Sequence, residues 1–385
     1  MYRSRFSRYT VFMETQHTTP RKTKLLYVVE SFSTGVYAIV RDIACNLDPE
    51  AFTVRILHSL RPDSPKTYEE DFAQPHISLQ YIPMGSLKTY GRAVGAIRKE
   101  IRTFEPDAIH LHSSKAGVLG RLAAKGSFSK RLLYSPHGFS FLRTDVGATK
   151  RRIFLTLEIL ADRYKRATIV AVSEGERIEA LKITSDTMVI NNFIDTSLFD
   201  TITEEPTNCV VTTGRIAPQK NPQLFNTIAK SLPDVPFLWV GDGPLRSELT
   251  AFNITVTGYV PRSEAIHHVR NAKIYLQTSL WEGMPVSILE AMAAGKPIVA
   301  SNIIGNRDLI EQGKTGILCD PQNPHEFAEA LQSVQQSPEL QTRLGNAARD
   351  HAHSYHDVSV AIDLYSREYT KSNDAADRRT THRAR

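Results

Sequence analysis

A loop with two cations follows one of the apolar runs in the second half of the chain. It begins at Gly214 and carries Arg215 and Lys220, just before a predicted helix. An arginine can bind two phosphate oxygens at once, a lysine adds a point charge, and the amino terminus of a helix attracts anions. This spacing favours a diphosphate site; a solvated loop with two ordinary surface cations is the alternative interpretation.

A second loop places two carboxylates around a helix start. Glu282 lies in the loop, Pro285 is typical of a first helical position, and Glu290 lies about 8 Å further along the helix axis. The free amides of the helix start lie between the carboxylates, so the segment suits a diphosphate with a sugar on one side and a ribose on the other. The alternative is a loop charge and a surface helix residue, because carboxylates are common near helix starts.

Both loops follow predicted strands of parallel sheets. Short apolar runs alternate with helical patterns from residue 24 onward, which is typical of parallel strands with helical crossovers. The runs are Leu25–Val29, Val54–Leu57, Ala108–Leu111, Leu132–Tyr134 and Ile169–Val172, and then Cys209–Thr212, Phe237–Val240, Thr255–Thr257, Ile274–Gln277, Ile298–Ala300 and Ile317–Cys319. We therefore predict an α/β fold with two doubly wound domains, whose ligands bind where the strands end.

The predicted division of the chain has five parts. Residues 1–23 form a basic segment, residues 24–196 and 197–355 form two Rossmann-like domains that face a central cleft, residues 356–370 form a helix that packs back on the first domain, and residues 371–385 form a basic tail. We place the linker near residues 191–206, which lack periodicity. Both basic ends are predicted to be disordered, because chain ends without core contacts are rarely ordered.

Composition and cysteine spacing exclude several classes of protein. The chain has 385 residues, of which 41% are hydrophobic and 23% charged, and this excludes collagen-like, disordered and small disulfide-bonded proteins. Cys45, Cys209 and Cys319 lie far apart, which argues against a disulfide framework or a structural zinc site. The scattered cysteines favour a reducing, cytoplasmic setting. No apolar run approaches the roughly 20 residues that span a bilayer, and no secretory signal is recognised, so we expect neither an integral membrane protein nor a secreted one.

The two loops belong to a longer series of motifs. The order G-R-x4-K, E-x7-E and A-x-G-x-P-I-V-A resembles the retaining nucleotide-sugar glycosyltransferases of the GT-B fold, specifically family 4, and the resemblance covers residues 24–340. Segments 110–117, 135–139, 171–174, 240–244 and 257–260 also match. There are two departures: the loop Ser33-Thr34-Gly35-Val36 has one glycine where the family often has a pair, and Asn192-Phe193-Ile194-Asp195 lacks a frequent glycine.

The resemblance implies a role for each residue of the site. Arg215 and Lys220 would bind the donor diphosphate, Glu290 the ribose hydroxyls and Glu282 the transferred sugar. His137 would be the active-site histidine beside the donor sugar. The donor pocket would be completed by Gly35, Gly214, Val260, Gly283, Met284, Pro285, Val286 and Ser287.

No metal and no other cofactor is expected. The sequence lacks a D-x-D motif, and His110 and His112 are assigned to opposite faces of a strand, which would make them poor co-ligands. Arg215, Lys220 and backbone donors would therefore meet the diphosphate charge of a nucleoside diphosphate-sugar, which enters as a co-substrate. No residue is an obvious covalent nucleophile, so the leaving diphosphate would itself help deprotonate the incoming hydroxyl.

Three other functions stay open at this point. A nucleotide-sugar isomerase (epimerase) on a similar fold would also need a diphosphate site and cleft carboxylates. A nicotinamide oxidoreductase is disfavoured, because Arg246 occupies the third glycine position of the segment that begins at Gly241. A nucleic-acid-binding protein is disfavoured because no base-reading module is recognised, so no nucleic-acid partner is expected.

The resemblance also bears on the acceptor and on the location of the protein. Segments 113–117 and 137–139 resemble enzymes of bacterial surface-polysaccharide assembly, such as capsule or lipopolysaccharide, and imply a saccharide or lipid-linked saccharide acceptor. Residues 150–166 form a basic amphipathic helix with an apolar stripe. That stripe fits either peripheral contact with an anionic membrane or docking on the sheet.

Overall fold

The computed structural model describes residues 21–200 and 207–371. The two predicted basic ends lie outside the described residues except for residues 21–23 and 371, and residues 201–206 of the predicted linker also lie outside them. Two parallel sheets account for the strands that are described.

The first sheet contains seven parallel strands among residues 21–200, in the order β3-β2-β1-β4-β5-β6-β7. The strands are β1 (Thr23–Val29), β2 (Phe52–His58), β3 (Ile77–Tyr81), β4 (Ala108–His112), β5 (Arg131–Ser135), β6 (Thr168–Ala171) and β7 (Thr187–Val189). The helices between them are α1 (Thr34–Asn46), α2 (Tyr68–Asp71), α3 (Leu87–Phe104), α4 (Ser114–Ala124), α5 (Ala148–Tyr164) and α6 (Glu174–Ala180). The chain starts in the middle and winds to one edge and then to the other, so the sheet is doubly wound.

The second sheet contains six parallel strands among residues 207–371, in the order β10-β9-β8-β11-β12-β13. They are β8 (Val210–Thr213), β9 (Phe237–Val240), β10 (Ile254–Val256), β11 (Ile274–Gln277), β12 (Ile298–Ser301) and β13 (Ile317–Cys319). The helices are α7 (Pro222–Ser231), α8 (Arg262–Asn271), α9 (Val286–Ala293), α10 (Asn306–Leu309), α11 (Pro324–Gln336), α12 (Pro338–Tyr355) and α13 (Val358–Thr370). Short 3-10 helices span Pro218–Lys220 and Arg246–Glu248 in this part of the chain, and Ser140–Leu142 and Thr196–Phe199 among residues 21–200. The prediction of two doubly wound parallel sheets is confirmed.

Apolar side chains cover both faces of each sheet. In β1, Leu26 and Val28 face one helical layer, whereas Leu25, Tyr27 and Val29 face the other. All five side chains are fully buried. A parallel strand covered on both faces has no polar side, which explains why these strands are continuous apolar runs in the sequence.

Helix α13 follows the second sheet but packs against the first. Ala361, Tyr365 and Tyr369 are buried in the same apolar cluster as Tyr27 and Phe52. The hydroxyl of Tyr27 donates a hydrogen bond of 2.9 Å to the hydroxyl of Tyr369. The end of the described chain is therefore fixed to the centre of the first sheet.

Two strands of the first sheet were absent from the sequence prediction. β3 and β7 lie at opposite edges of the sheet. Ile77, Leu79 and Tyr81 of β3 alternate with polar residues, and none of its side chains is fully covered. Such edge strands lack the continuous apolar signal of the central strands, although the alternation in β3 is a readable pattern for a half-buried strand.

Candidate active site

Loops from both sheets meet at the start of α9. A Cβ atom on Gly35, at the start of α1, would lie 3.6 Å from Cγ2 of Val286. From the other side, a Cβ atom on Gly283 would lie 3.0 Å from the backbone nitrogen of Gly138. Three loops of the two domains therefore meet at the strand ends, where the cleft between the domains is predicted, and only the contact at Gly283 is too close for a larger residue.

Gly305 packs so closely against the backbone of Gly283 that a side chain at position 305 would not fit. Gly305 has a φ of +62°, which favours glycine, and a Cβ atom there would lie 2.4 Å from the carbonyl oxygen of Gly283. The loop after β12 is thus seated directly against the loop that carries Glu282. This contact fixes the start of α9 from within the second domain.

The two motifs found in the sequence form one ion pair. Nζ of Lys220 lies 2.8 Å from Oε1 of Glu282, and Gln219 and Ser279 donate further hydrogen bonds to the same carboxylate, at 3.0 and 2.9 Å. Burial lowers the pKa of Lys220, but the neighbouring carboxylate more than offsets this, so the pKa is raised. Lys220 is therefore held as a cation within the cleft.

Gly214 and Arg215 lie beside this pair. Gly214 has a φ of +133°, and a Cβ atom there would lie 3.0 Å from Cε of Lys220. The absence of a side chain at Gly214 therefore makes room for the lysine side chain. The Arg215 side chain is 43% exposed and approaches Asp63 of the first domain at 3.5 Å. Asp63 was absent from the sequence prediction. It lies in the loop after β2, which is where strand-end ligands are expected.

Glu290 takes part in an ion-pair cluster that spans both domains. Its Oε1 lies 3.3 Å from Nε of Arg262, and Nη1 of Arg262 lies 3.5 Å from Oδ2 of Asp42 on α1. Burial raises the pKa of Glu290, against the opposing effect of Arg262. Arg262 was also absent from the sequence prediction, although it follows the strand-end segment 257–260.

The first turn of α9 offers backbone donors. No side chain caps the helix, and Pro285 stands at its cap position, so the helix begins at Val286, one residue later than the sequence predicted. The hydroxyl of Ser287 is buried without a hydrogen-bond partner among the described residues. Met284, Val286 and Val260 pack in one apolar cluster of the second domain. An uncapped helix start beside Lys220 is the arrangement that a phosphate group favours.

His137 lies in the first-domain loop that approaches Gly283, just before α9. Its φ of +53° is unusual for a residue with a side chain and costs about 1–3 kcal/mol. The next residue, Gly138, donates its N–H to Oε1 of Glu176 at 2.6 Å. Burial lowers the pKa of His137 to about 4, so its imidazole is neutral near pH 7.

Glu176 anchors this turn and was not found from the sequence. The carboxylate is fully buried and also accepts the N–H of Val172, at 2.9 Å. Burial raises its pKa to about 7, although the two backbone hydrogen bonds favour the charged form. Because the Glu176 carboxylate hydrogen-bonds to backbone N–H groups, which every residue type offers, no residue pattern in the sequence links it to the segment around His137.

The assignment of His110 and His112 to opposite faces was wrong. Their ring centroids lie 4.0 Å apart. Residues two apart on a strand point to the same face, so both imidazoles lie on one side of β4. Among the described residues, no group of three or more His, Cys, Asp or Glu side chains could hold a metal ion. No helix of residues 21–200 and 207–371 is long and apolar enough to cross a membrane.

Two family models match the chain, and together they cover both domains. The model described as Glycosyltransferase Family 4 matches residues 33–198, and the model described as Glycosyl transferases group 1 matches residues 194–351. The chain is 32% identical over 269 residues to the Escherichia coli UDP-Gal:alpha-D-GlcNAc-diphosphoundecaprenol alpha-1,3-galactosyltransferase. This alignment covers 62% of this chain and 69% of that protein. It is 25% identical to the putative glycosyltransferase EpsD of Bacillus subtilis, over 70% of this chain and 79% of that protein.

Solved structures show the same architecture. A sucrose-phosphate synthase from Thermosynechococcus elongatus superposes with a TM-score of 0.76 at 19% identity, over 91% of this chain and 98% of that chain. Anabaena HepE in complex with UDP and glucose superposes with a TM-score of 0.74 at 20% identity, over 90% and 98% of the two chains. The fold is therefore GT-B, and the chain belongs to the family 4 glycosyltransferases.

Proposed function

We propose that the protein transfers a sugar from a nucleoside diphosphate-sugar to an acceptor hydroxyl, with retention of configuration and without a metal ion. The observation that carries this proposal is the Lys220–Glu282 pair at the uncapped start of α9. A cation and free amides suit the diphosphate, and a carboxylate beside them suits a sugar. Arg215, on the same loop as Lys220, adds a second cation at the mouth of the site.

The leaving group receives most of the stabilisation. Negative charge grows on the diphosphate as the bond to the sugar breaks, and Arg215, Lys220 and the amides of the first turn of α9 are placed to meet it. On the other side of the cleft, His137 is held as a neutral donor or acceptor beside the sugar. Glu290 would accept hydrogen bonds from the ribose hydroxyls.

Retention is supported by the state of Glu282. Its carboxylate is held by donors from Lys220, Gln219 and Ser279, which engage three of its roughly four lone-pair sites and leave one for a sugar hydroxyl. A carboxylate bound in this way is a poor nucleophile, which argues against a covalent glycosyl intermediate on it. We infer a front-face reaction, in which the departing diphosphate accepts the proton of the incoming hydroxyl while the cleft keeps both partners aligned.

Relatives support a uridine nucleotide and a lipid-linked acceptor. The name of the Escherichia coli relative gives UDP-galactose as donor and a diphosphoundecaprenol-linked sugar as acceptor. We extend the same chemical classes to this chain: a UDP-sugar donor and a saccharide, linked to a lipid, in surface-polysaccharide assembly such as capsule or lipopolysaccharide.

The outer face of α5 supports contact with an anionic membrane. Glu158 and Asp162 point inward to the fully buried Arg121, and Glu158 also accepts a hydrogen bond from the hydroxyl of Tyr134, at 2.8 Å. The polar face of the helix is therefore the buried one. An apolar stripe is left about half exposed, formed by Ile153, Leu157, Leu160 and Tyr164.

Basic side chains flank this stripe at both ends. Lys150 and Arg152 lie exposed at its start, and Arg163 and Arg166 lie exposed at its end. Apolar residues between cations are typical of helices that lie at the surface of an anionic bilayer. We therefore propose a cytoplasmic protein that reaches its lipid-linked acceptor at the inner face of the membrane.

Membrane contact is tested by sedimentation with vesicles. Ile153→Gln should weaken binding to vesicles that contain phosphatidylglycerol by up to about tenfold, the effect of leaving one large apolar side chain in water. Ile178→Gln is the matched control, because Ile178 on α6 is equally exposed, at 55% against 52%. Equal loss in both variants, or binding to neutral vesicles alone, would contradict the proposal.

The transfer reaction is tested with a panel of nucleoside diphosphate-sugars and a diphospholipid-linked saccharide. We expect release of UDP that depends on acceptor, and a product whose anomeric configuration matches that of the donor by NMR. Inversion would contradict the front-face reaction. Conversion of the donor without an acceptor would indicate an epimerase. A chelator should leave the rate unchanged, because Arg215 and Lys220 replace a metal ion at the diphosphate.

A further inference from the structure

A row of three histidines runs from the interior of the first domain to the cleft. His110 and His112 are fully buried on β4, and His137 is half-buried beyond them. The rings of His112 and His137 are nearly parallel, with centroids 5.3 Å apart. Nδ1 of His112 lies 2.9 Å from Nε2 of His137, which is hydrogen-bond distance. The partners of each nitrogen decide where its proton lies.

The proton of His110 lies on Nε2. Ser135 donates its hydroxyl to the carbonyl of Val170 at 3.0 Å, so its oxygen accepts from Nε2 of His110 at 2.9 Å. The other nitrogen, Nδ1, accepts from the hydroxyl of Tyr369 at 2.8 Å, and that hydroxyl in turn accepts from Tyr27 at 2.9 Å. His110 is thus neutral and fully satisfied, and it has no proton to share with His112.

The hydrogen bond between Nδ1 of His112 and Nε2 of His137 requires a proton on one of these two nitrogens. If it belongs to His137, the proton of His112 lies on Nε2, which is buried and has no partner among the described residues. If it belongs to His112, that buried Nε2 is a bare lone pair instead. A buried N–H without an acceptor is rarer in proteins than an acceptor that is not fully satisfied. The proton therefore lies on Nδ1 of His112.

We propose that His112 is a positioning residue that holds His137 as the neutral tautomer with its proton on Nδ1. Nε2 of His137 accepts from His112, and no side chain or backbone atom of the described residues pairs with Nδ1 of His137. The Nδ1–H group is therefore free to donate to a ligand in the cleft. Under the proposed function, that ligand is the donor sugar, and the group is a hydroxyl oxygen. Burial lowers the pKa of His112, so this ring does not take up a second proton and become a cation.

The tautomer is observed directly by NMR. Protein labelled with ¹⁵N at histidine is measured by long-range ¹H–¹⁵N correlation near pH 7, and His137 is assigned from the resonance that disappears in His137→Gln. We expect Nδ1 of His137 in the protonated range and Nε2 in the unprotonated range. The reverse pattern, or an even mixture of the two tautomers, would overturn the proposal whatever reaction the protein catalyses.

The positioning role is tested by two substitutions at the same site. His112→Phe keeps the volume but removes the donor, and kcat/KM should fall by about tenfold, with most of the change in kcat. In His112→Asn, the side-chain amide nitrogen can replace Nδ1 as donor, and we expect kcat/KM within about threefold of wild type. Equal rates for His112→Phe and wild type would overturn the role, and so would equal losses in the two variants.

Tyr369→Phe is the matched control for damage to the buried network. It removes one hydroxyl from the other end of the row and leaves the His112–His137 contact in place. We expect kcat/KM within about twofold of wild type, and a loss as large as that of His112→Phe would overturn the role. If wild type transfers no sugar at all, the proposed function fails, whereas the NMR measurement still decides the tautomer.

Discussion

Lys220 and Glu282 should act as a coupled pair when a nucleoside diphosphate binds. Lys220→Met removes a charge-assisted contact to the diphosphate, which is worth about 1.5–3 kcal/mol. It also leaves the Glu282 carboxylate, 10% exposed, without its cation. The variant therefore loses an attraction, and the repulsion between Glu282 and the diphosphate is no longer offset by a cation between them.

The size of the repulsion follows from the geometry. Nζ of Lys220 lies 2.8 Å from the Glu282 carboxylate. A phosphate oxygen on the far side of Nζ is then roughly 5.6 Å from that carboxylate, where two unit charges repel by about 3 kcal/mol at an effective dielectric constant of about 20. We expect Lys220→Met to weaken UDP binding by about 1,000-fold or more, and the further change Glu282→Gln to recover about 100-fold of that loss.

Calorimetric titration of UDP into the four proteins of this double-mutant cycle is the assay. Lys230→Met, which removes an exposed lysine at the end of α7, is the control and should bind UDP like wild type. Glu282→Gln alone should bind UDP at least as well as wild type, because it removes only negative charge. Free energies that add within about 0.5 kcal/mol would show that the pair does not meet the diphosphate and would refute the reasoning.

Three further predictions concern the scaffold and the ribose contact. Gly305→Ala should lower the free energy of unfolding by about 3 kcal/mol in urea titrations, because its Cβ meets the carbonyl of Gly283; Gly313→Ala, also at positive φ but in open space, should cost about 1 kcal/mol. Glu290→Gln should raise KM for the donor and weaken UDP binding, and an unchanged affinity would contradict a ribose contact. Burial lowers the pKa of His356 to about 4, so its contribution to stability is lost as the pH falls from about 6.5 towards 4; the difference in unfolding free energy between pH 7 and pH 5 should shrink by about 2 kcal/mol in His356→Gln.

The central strands and the two charged loops were predictable because each has a local signal. Strands covered on both faces are continuous apolar runs, and the residues that follow them lie at the ligand-binding edge of the sheet. Arg215, Lys220, Glu282 and Glu290 were found in this way. Their direct pairing is not a local property, because Lys220 and Glu282 are far apart in sequence. They meet because β8 and β11 are neighbours in the sheet, so the loops that follow these strands are adjacent.

Other parts of the site depend on contacts between domains, which leave no local pattern. Asp63 approaches Arg215, and Arg262 lies between Asp42 and Glu290, only because the two sheets face each other. Their positions after strands were a readable signal, but nothing in the sequence ranks them above other loop charges. The misplacement of His110 and His112 had a different origin: strand geometry by itself puts residues two apart on one face.

A crystal structure of the protein with UDP tests the central claim most directly. We expect the diphosphate within hydrogen-bond distance of Nζ of Lys220 and of the amides in the first turn of α9, with the ribose hydroxyls on Glu290. Arg215 should turn from Asp63 towards the phosphates. A diphosphate bound elsewhere in the cleft, or a ribose that does not contact Glu290, would contradict the account.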